Sequence, residues 1–430
     1  MHRIVIVGGG AGGLELATRL GDTLGRRNKA RITLVDRSRT HLWKPLLHEI
    51  AAGSMDIHAH QLDYLAQARW HHFVFSQGTL KGLDRTAKLV HVDGVRDDSG
   101  EEILPERQIP YDTLVIAVGS QSNDFGTPGV ADHAFTLDNS WEAHLFHRRL
   151  VNACFKADFA DDKRVIDIVI VGAGATGVEL AAELHNTTRV LAAYGLDRFD
   201  PELQIRISIV EASPRILAGL PEHIADATLD ILKQLQVAVY TGEQVVSVNG
   251  EGLACKSGRT LHADFVVWAA GVRAPAVLAT LDGLEVNRIN QLVVQPTLQT
   301  TQDDNIFALG DCAACPWTDG RNVPPRAQSA HQQASHLVGN LKRRLAGAPL
   351  KPFTYRDFGS LVSLGAFESV GTLMGFVSRG SVRVEGIVAK LFYISLYKMH
   401  LWALHGFWRM ALDTLARMIK RQTEPRVKLH

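Results

Sequence analysis

Two nearly identical glycine-rich segments, VGGGAGGLEL at residues 7–16 and VGAGATGVEL at 171–180, constrain this chain more than any other feature. Each continues the apolar run IVIV, which is typical of a buried parallel strand. Each is followed by apolar residues at helical spacing. Strand, G-x-G-x-x-G turn and helix together form the βαβ unit that places a dinucleotide pyrophosphate at a helix N-terminus. The repeat therefore predicts two dinucleotide sites.

The first unit carries the full pattern for such a site. Gly8 permits the tight turn, Gly10 lets a pyrophosphate approach the backbone, and Gly13 lets the helix pack on the strand. The following strand, RITLVD, ends in Asp36, which lies 23 residues after Gly13. A carboxylate at this offset accepts hydrogen bonds from a ribose diol. We therefore predict a ribose contact for Asp36.

The second unit repeats the glycines as Gly172, Gly174 and Gly177, and its next strand ends in Glu211, 34 residues after the last glycine. The longer helix between them explains the larger offset. A carboxylate favours a free ribose 2′-hydroxyl and repels a 2′-phosphate, so we expect NADH to be preferred over NADPH. Arg215, four residues further on, leaves some use of NADPH open.

Three further apolar strands each run into a glycine: YDTLVIAVGS at 111–120 with Gly119, LHADFVVWAAGVRA at 261–274 with Gly271, and NIFALGDCA at 305–313 with Gly310 and Asp311. In these strands the chain resembles the two-dinucleotide-binding-domain flavoproteins, the glutathione-reductase-like superfamily. The resemblance implies that the first turn binds FAD and the second NADH. It also implies that Asp311 contacts the ribityl and phosphate region of FAD.

This resemblance implies an α/β fold with two Rossmann-like domains, one of them discontinuous. The FAD domain comprises residues 1–120 and 296–350, and the NADH domain, residues 121–295, is inserted between them. Residues 351–430 form a C-terminal membrane-association region. A chain of 430 residues is long for a single core, which agrees with more than one domain.

The electron acceptor is the next question. Disulfide reductases of this superfamily carry a cysteine pair in the helix after the second strand, and residues 41–60 contain no cysteine. Cys312 and Cys315 form C-A-A-C directly after Asp311, which leaves a redox pair open. We favour small residues that pack near the flavin.

The segment AQSAHQ at 327–332 makes the resemblance narrower, because it matches the A-Q-x-A-x-Q motif of the type II NADH:quinone oxidoreductases. KPLLHEIAAGSM at 44–55 resembles that family's loop beside the flavin, and FGTPGVADHAFTL at 125–137 its interdomain crossing. The resemblance makes Gln328 and Gln332, which share one helix face, candidates for the quinone site. The alternative is a helix face with packing glutamines.

The family resemblance implies FAD as cofactor, NADH as donor, a membrane quinone as acceptor and no proton pumping. Lys44 and Ala327 become FAD contacts, and Gly119, Gly271 and Gly310 line the nucleotide sites. Glu179, just after the second glycine triplet, becomes a residue beside the nicotinamide and the flavin that orients the nicotinamide or relays a proton. A glutamate in a first helical turn is also favourable for the helix dipole alone.

The C-terminal region is basic and amphipathic. From Arg379 onward it holds ten Lys and Arg against three Asp and Glu, net +7. Residues 386–405 are almost wholly apolar, and 406–422 divide into two faces: Arg409, Asp413, Arg417 and Arg421 on one, and Trp408, Ala411, Leu412, Leu415, Met418 and Ile419 on the other. This pattern suits a helix lying in an anionic membrane interface. Packing on the FAD domain or against a second copy, which would give a homodimer, is the alternative.

Other classes of function are not favoured. The net charge of +1 gives no reason to expect nucleic acid, and the nineteen histidines show no metal-ligand spacing, so we predict no metal site. No secretory signal is evident, and no 18-residue run is free of charge, so we do not expect a spanning helix. The family resemblance implies peripheral attachment, which we expect at the cytoplasmic face of the inner membrane. The rival functions are a soluble NADH-dependent reductase of a small iron–sulfur protein and an FAD- and NADH-binding redox sensor without turnover.

Overall fold

Two parallel five-stranded sheets organise the chain in a computed structural model that describes residues 1–161, 164–364, 369–374, 381–420 and 427. Each sheet contains one of the two glycine turns at the end of its central strand. The α/β fold expected from the sequence is confirmed.

The elements of the first part of the chain begin with the first glycine turn and end before the second sheet. They are β1 (His2–Val7), α1 (Ala11–Leu20), β2 (Ala30–Asp36), β3 (Thr40–His41), α2 (Leu47–Ala52), α3 (Ile57–His60), β4 (Leu62–Asp63), α4 (Tyr64–Trp70), β5 (Val74–Gln77), β6 (Leu80–Asp84), β7 (Leu89–Val92), β8 (Val95–Arg96), β9 (Glu102–Leu104), β10 (Arg107–Pro110), β11 (Thr113–Ile116) and β12 (Gln121–Ser122).

The elements that follow build the second sheet and its cover. They are α5 (Val130–His133), β13 (Ala134–Thr136), α6 (Ser140–Phe159), β14 (Ile166–Val171), α7 (Ala175–Ala193), α8 (Pro201–Gln204), β15 (Ile205–Glu211), α9 (Glu222–Gln234), β16 (Ala238–Thr241), β17 (Val245–Asn249), β18 (Gly252–Cys255), β19 (Thr260–His262), β20 (Phe265–Trp268), β21 (Val272–Arg273) and β22 (Leu292–Val293).

The last elements return to the first sheet and then continue into the C-terminal region. They are β23 (Ile306–Ala308), β24 (Ala313–Ala314), α10 (Ala327–Leu345), β25 (Gly359–Ser363), β26 (Ser369–Met374), β27 (Ser381–Glu385), α11 (Gly386–His405) and α12 (Phe407–Lys420).

The first sheet has the strand order β23-β11-β1-β2-β5 and is parallel throughout. The apolar strand β1 is fully covered because it lies at the centre, and Ile4, Val5 and Ile6 are at most 1% exposed. The late strand β23 pairs with β11, so the chain does return to the first sheet after the second one. The predicted limits of the two domains are not otherwise tested and stay a prediction.

The second sheet has the order β13-β20-β14-β15-β16 and is likewise parallel. Its central strand β14 is buried along its whole length, as the apolar sequence IDIVIV predicts. In both sheets the glycine turn follows a central strand, and the carboxyl ends of the neighbouring strands meet at that edge. Ligands of open α/β sheets bind at this edge.

Helix α2 joins the two halves of the molecule. It belongs to the segment after β2 of the first sheet, yet Leu47, Ile50 and Ala51 lie in the hydrophobic core of the second sheet, beside residues of α6 and α7. This position brings the 44–55 segment to the boundary between the two nucleotide units.

The C-terminal region contains more than the predicted helices. A three-stranded antiparallel sheet, β25-β26-β27, precedes them, and the sequence did not predict it. Helices α11 and α12 then cover the two stretches that were predicted as helical. The Met418 side chain and Arg421 lie outside the described residues. Within the part of the chain that the structure describes, every helix falls short of the length and apolarity needed to cross a bilayer.

Candidate functional site

The first glycine turn has the shape that a pyrophosphate needs. Gly8 adopts φ +104°, and a Cβ there would overlap the carbonyl of Ala117. A Cβ on Gly13 would overlap the Gly8 carbonyl, so the helix packs directly on the turn. Gly10 precedes α1 and has nothing within 4 Å of the place where a Cβ would stand. An open backbone therefore faces outward at the N-terminus of α1, as an anion site requires.

Asp36 closes this turn from the next strand. One of its oxygens accepts the N–H of Gly9 at 2.6 Å and the other accepts the N–H of Ser38 at 2.8 Å. Burial raises the pKa of Asp36, and both hydrogen bonds oppose that rise. The carboxylate thus lies at the end of β2 beside the turn, where the predicted ribose contact would be made.

The carbonyl of Gly9 receives two donors that the sequence analysis missed. The Tyr64 hydroxyl donates to it at 2.7 Å, and His41 Nδ1 donates at 2.9 Å. His41 Nε2 lies 3.0 Å from Nε2 of His400 on α11. Since Nδ1 of His41 carries the proton that bonds Gly9, Nε2 is the acceptor and His400 is the donor. Only the tertiary structure brings these residues together.

Asp311 lies at the opposite side of the same turn, after β23. Its carboxylate accepts a hydrogen bond from the Ser120 hydroxyl at 2.7 Å, and the Ser120 carbonyl accepts one from Lys44 Nζ at 2.7 Å. Burial raises the pKa of Asp311, against the opposing effects of Ser120 and Lys44. Gly119 and Gly310, both with φ above +70°, form the turns that let these groups meet.

Helix α10 begins at Ala327, after Pro324 and Pro325, so the two prolines lie outside the helix. Its Gln333 accepts the N–H of Gly310 at 2.6 Å, and this bond holds the helix N-terminus beside Asp311. These hydrogen bonds connect Lys44, Ser120, Asp311 and Gly310 with helix α10, which begins at Ala327. Their roles toward FAD stay predictions.

The second glycine turn repeats the geometry of the first. Gly172 adopts φ +103°, Gly174 is open where a Cβ would stand, and a Cβ on Gly177 would overlap the Gly172 carbonyl. Glu211 accepts the N–H of Ala173 at 2.7 Å and that of Ser213 at 2.7 Å. The open backbone at the N-terminus of α7 and the neighbouring carboxylate fit a second dinucleotide.

Arg215 and Gly271 complete the surroundings of that turn. The Arg215 guanidinium donates to the carbonyls of Ala218 at 2.9 Å and Leu220 at 2.8 Å, with a longer contact to Leu217 at 3.3 Å. The terminal nitrogens of the Arg215 guanidinium therefore donate to carbonyls of the loop that follows Arg215. Gly271 has φ +65°, and a Cβ there would overlap the ring of Phe125.

Glu179 is the fifth residue of α7 and is buried, and His48 of α2 faces it. The distance from His48 Nδ1 to the Glu179 carboxylate is 3.6 Å, and both side chains are less than a tenth exposed. Burial lowers the pKa of His48 to about 4, with a hydrogen bond to the Pro45 carbonyl opposing the shift. His48 is therefore neutral at pH 7. The sequence analysis did not single out His48, although it lies in the quoted segment 44–55.

Four polar residues at four-residue spacing hold α10 to residues 351–359. Gln328 donates to the Gly359 carbonyl at 3.0 Å, and Gln332 donates to the Arg356 carbonyl at 2.8 Å while accepting the Arg356 N–H at 3.0 Å. His336 and Asn340 continue the row by contacting the Lys351 carbonyl at 2.9 Å each. These hydrogen bonds support the alternative interpretation, in which Gln328 and Gln332 pack the helix against residues 351–359. The role of the two glutamines in binding quinone stays a prediction.

Cys312 and Cys315 follow Asp311 closely, and their burial bears on the redox pair that the sequence left open. Cys312 and Cys315 are buried, and burial raises their thiol pKa values to about 12 and about 11. Such thiols are poor nucleophiles at neutral pH, which favours the packing interpretation.

One group of possible metal-ligating residues occurs among the described residues. Asp167, His262 and Asp264 have ligand atoms within 4.8 Å of one another. Arg206 pairs with Asp167, and Arg164 pairs with Asp264. The two carboxylates therefore already have cationic partners.

Comparison with known proteins agrees with this geometry. Residues 2–334 match the family of pyridine nucleotide-disulphide oxidoreductases. A type II NADH:quinone oxidoreductase of Haemophilus influenzae is 46% identical over 446 aligned positions that cover 100% of both chains. Another, from Staphylococcus saprophyticus, is 30% identical over 87% of this chain and 90% of the relative.

A solved structure of NDH2 from Plasmodium falciparum in complex with NADH has the same fold, with a TM-score of 0.81 at 18% identity. The match covers 99% of this chain and 100% of the other. The two resemblances seen in the sequence are thereby confirmed. Within the pyridine nucleotide-disulphide oxidoreductases, this chain belongs to the type II NADH:quinone oxidoreductases.

Proposed function

We propose that this chain oxidises NADH and reduces a membrane quinone, with FAD held at the first glycine turn and NADH at the second. The observation that carries the proposal is the pair of open glycines, Gly10 and Gly174, each at the N-terminus of a long helix and each beside a strand-terminal carboxylate. FAD, when bound, supplies the redox chemistry by accepting a hydride from NADH and passing two electrons to quinone. Overall, NADH, quinone and one proton become NAD⁺ and quinol.

The chain's own part at the first site is to bind and orient the flavin nucleotide. The α1 N-terminus holds the pyrophosphate through free N–H groups and the helix dipole. Asp36 accepts hydrogen bonds from the ribose diol, while Asp311 and Lys44 approach the ribityl and phosphate region from the other side. The donors to the Gly9 carbonyl fix the turn in the shape that this binding needs.

At the second site Glu211 selects NADH. Its carboxylate accepts the ribose 2′-hydroxyl and repels a 2′-phosphate. The guanidinium of Arg215 is occupied by three carbonyls of its own loop, so it is not placed to neutralise such a phosphate. We therefore expect NADH to be preferred, with Arg215 needing to leave these carbonyls before it could bind a 2′-phosphate.

Glu179 lies where the two nucleotide units meet. We assign it to orienting the nicotinamide, with neutral His48 as its buried neighbour at 3.6 Å. Relay of a proton by the Glu179 carboxylate is the other role that the family resemblance implies.

Quinone binds, in this proposal, where the N-terminus of α10 meets residues 356–359. Gln328 and Gln332 are amides that can turn from backbone partners to a quinone carbonyl. The peripheral attachment that delivers this lipid-soluble substrate is assigned to α12. Its apolar residues Trp408, Leu412 and Leu415 are each more than half exposed, the reverse of a helix that packs on its own core. The cytoplasmic face and a homodimer stay parts of the proposal.

Stopped-flow spectroscopy of the flavoprotein tests this assignment. NADH is mixed with the oxidised protein first, and a quinone is added afterwards. Gln328→Ala should slow flavin reoxidation by quinone about tenfold, the loss expected for one substrate hydrogen bond, and should spare reduction by NADH. Asn340→Ala is the matched control. Asn340 holds the same 351–359 segment through Lys351, and it lies about two helical turns after Gln332. Equal slowing in both variants would refute the quinone role and leave only a packing role.

A further inference from the structure

Helix α12 lies with part of its polar face against the molecule. Arg417 and Asp413 form an ion pair at 2.7 Å, in which the two side chains are 32% and 42% exposed. The guanidinium of Arg409 lies 5.9 Å from the ring centroid of Trp70 on α4. The apolar face of α12 is therefore turned away from the protein.

The segment from α3 to α4 runs alongside α12 in the opposite direction. The His60 ring lies 6.2 Å from that of Tyr397 on α11. Burial lowers the pKa of His60, and the charge of Arg417 adds a smaller effect in the same direction. Trp70, ten residues later, lies at Arg409. The eight residue steps from Arg409 to Arg417 span about 12 Å of helix, so residues 60–70 flank this length of α12.

Two large apolar side chains of α4 are exposed along this flank. Leu65 is 65% exposed and Trp70 is 52% exposed, while Tyr64 on the inner side is buried against the Gly9 carbonyl. Arg69, between them, is exposed as well. Exposed Trp, Leu and Arg are residues typical of a membrane interface, with the ring at headgroup level and the charge toward lipid phosphates.

We propose that α4 forms a second part of the lipid-contacting surface, and that Leu65 and Trp70 insert into the interface of an anionic bilayer beside α12. This inference rests on the proposed membrane attachment through α12 and extends it from the C-terminal region to the FAD-binding half of the molecule. The net charge of +7 in the C-terminal region from Arg379 onward complements an anionic surface. Tyr64 of α4 contacts the Gly9 carbonyl directly. In this proposal the first glycine turn therefore lies close to the lipid.

Site-directed labelling tests the proposal on the full-length flavoprotein. All four native cysteines are buried, so a thiol-reactive, environment-sensitive fluorophore will label an introduced surface cysteine. Leu65→Cys and Trp70→Cys are the test positions, and Leu412→Cys is the α12 reference. Trp141→Cys and Phe159→Cys on α6 are the matched controls, because these side chains are 68% and 79% exposed.

Vesicles of phosphatidylcholine and phosphatidylglycerol are added, with and without a lipid that carries a quencher on its acyl chain. The expected result is a blue shift and at least twofold quenching at residues 65, 70 and 412, with no change at residues 141 and 159. Changes at 412 alone would overturn the role of α4 and leave membrane attachment intact. No change at 412 would overturn both proposals.

A second copy of the chain is the other possible cover of this surface. Fluorescence without vesicles, measured over a range of protein concentrations, decides this point. A blue shift at residues 65 and 70 that grows with protein concentration would overturn the lipid assignment. Emission that stays at the solvent-exposed wavelength until vesicles are added supports it.

Discussion

The two glycine turns share their backbone geometry and differ in how they are held. In each, the strand-terminal acid accepts the N–H that follows the first glycine, from Gly9 in one and Ala173 in the other. The Gly9 carbonyl receives side-chain donors from Tyr64 and His41. The Ala173 carbonyl receives a backbone N–H, that of Leu217, at 2.9 Å.

This difference matches two kinds of ligand. A cofactor that stays bound through many turnovers benefits from a turn fixed by distant parts of the chain. A substrate that must leave after each turnover needs a turn of the same shape, held by fewer side chains from distant parts of the chain. The predictions below test this contrast, starting with the largest expected effect.

Alanine at the third glycine of each turn separates the two sites. A Cβ at Gly13 or Gly177 overlaps the carbonyl of the first glycine, and relieving such an overlap costs about 1–3 kcal/mol. Gly13→Ala should yield protein without bound FAD, measured by visible absorbance. Gly177→Ala should remain yellow and lose reduction by NADH, while chemical reduction still works. Loss of FAD in both variants would contradict separate sites.

Acid should weaken the first turn. Burial lowers the pKa of His41 to about 4, against the hydrogen bond to Gly9. The unfolded chain therefore binds a proton more readily than the folded one, so this contribution to stability is complete above pH 6.5 and is lost as the pH falls toward 4.

The expected loss from His41 is about 2 kcal/mol between pH 7 and pH 5, read as a lower urea midpoint. His41→Gln should reduce the pH dependence by that amount. His48, at the boundary between the two units, has a similarly lowered pKa. Its contribution to the pH dependence of stability should remain in the His41→Gln variant. An unchanged pH dependence in His41→Gln would show that His41 is not neutral in the fold.

Loss of the carboxylate at the second turn should affect NADH and leave FAD in place. Glu211→Gln removes the charge from two hydrogen bonds and from the predicted ribose contact, which is worth about 1.5 kcal/mol, or roughly tenfold in KM for NADH. FAD content, measured from the ratio of visible to ultraviolet absorbance, should not change. A rise in KM for NADH together with loss of FAD would contradict the prediction that the second turn serves NADH alone.

The smallest effect is expected from Tyr64→Phe, which removes one hydroxyl donor from the Gly9 carbonyl. One hydrogen bond contributes about 1 kcal/mol, so FAD should dissociate about fivefold faster while KM for NADH stays the same. The measurement is recovery of free FAD fluorescence after dilution. An unchanged rate would mean that His41 alone fixes this carbonyl.

The sequence was sufficient for the nucleotide units because their signals are local. A strand, three glycines, a helix and a terminal acid occur in order within a few dozen residues, so Gly8 to Asp36 and Gly172 to Glu211 were found without knowledge of contacts. The C-terminal helices were found in the same way from their apolar periodicity. The strands β25 to β27 were missed, since they are short and carry no turn signal that was recognised.

The sequence alone determined which residues build the two turns and that α12 has two faces. The tertiary structure decided which face of α12 is exposed, and it brought His400 to His41 across 359 positions. It also showed that Gln328 and Gln332 belong to a row that holds residues 351–359. The physical reason is that periodicity fixes the faces of an element, whereas the partner that covers a face is set by contacts between distant parts of the chain, which no spacing records.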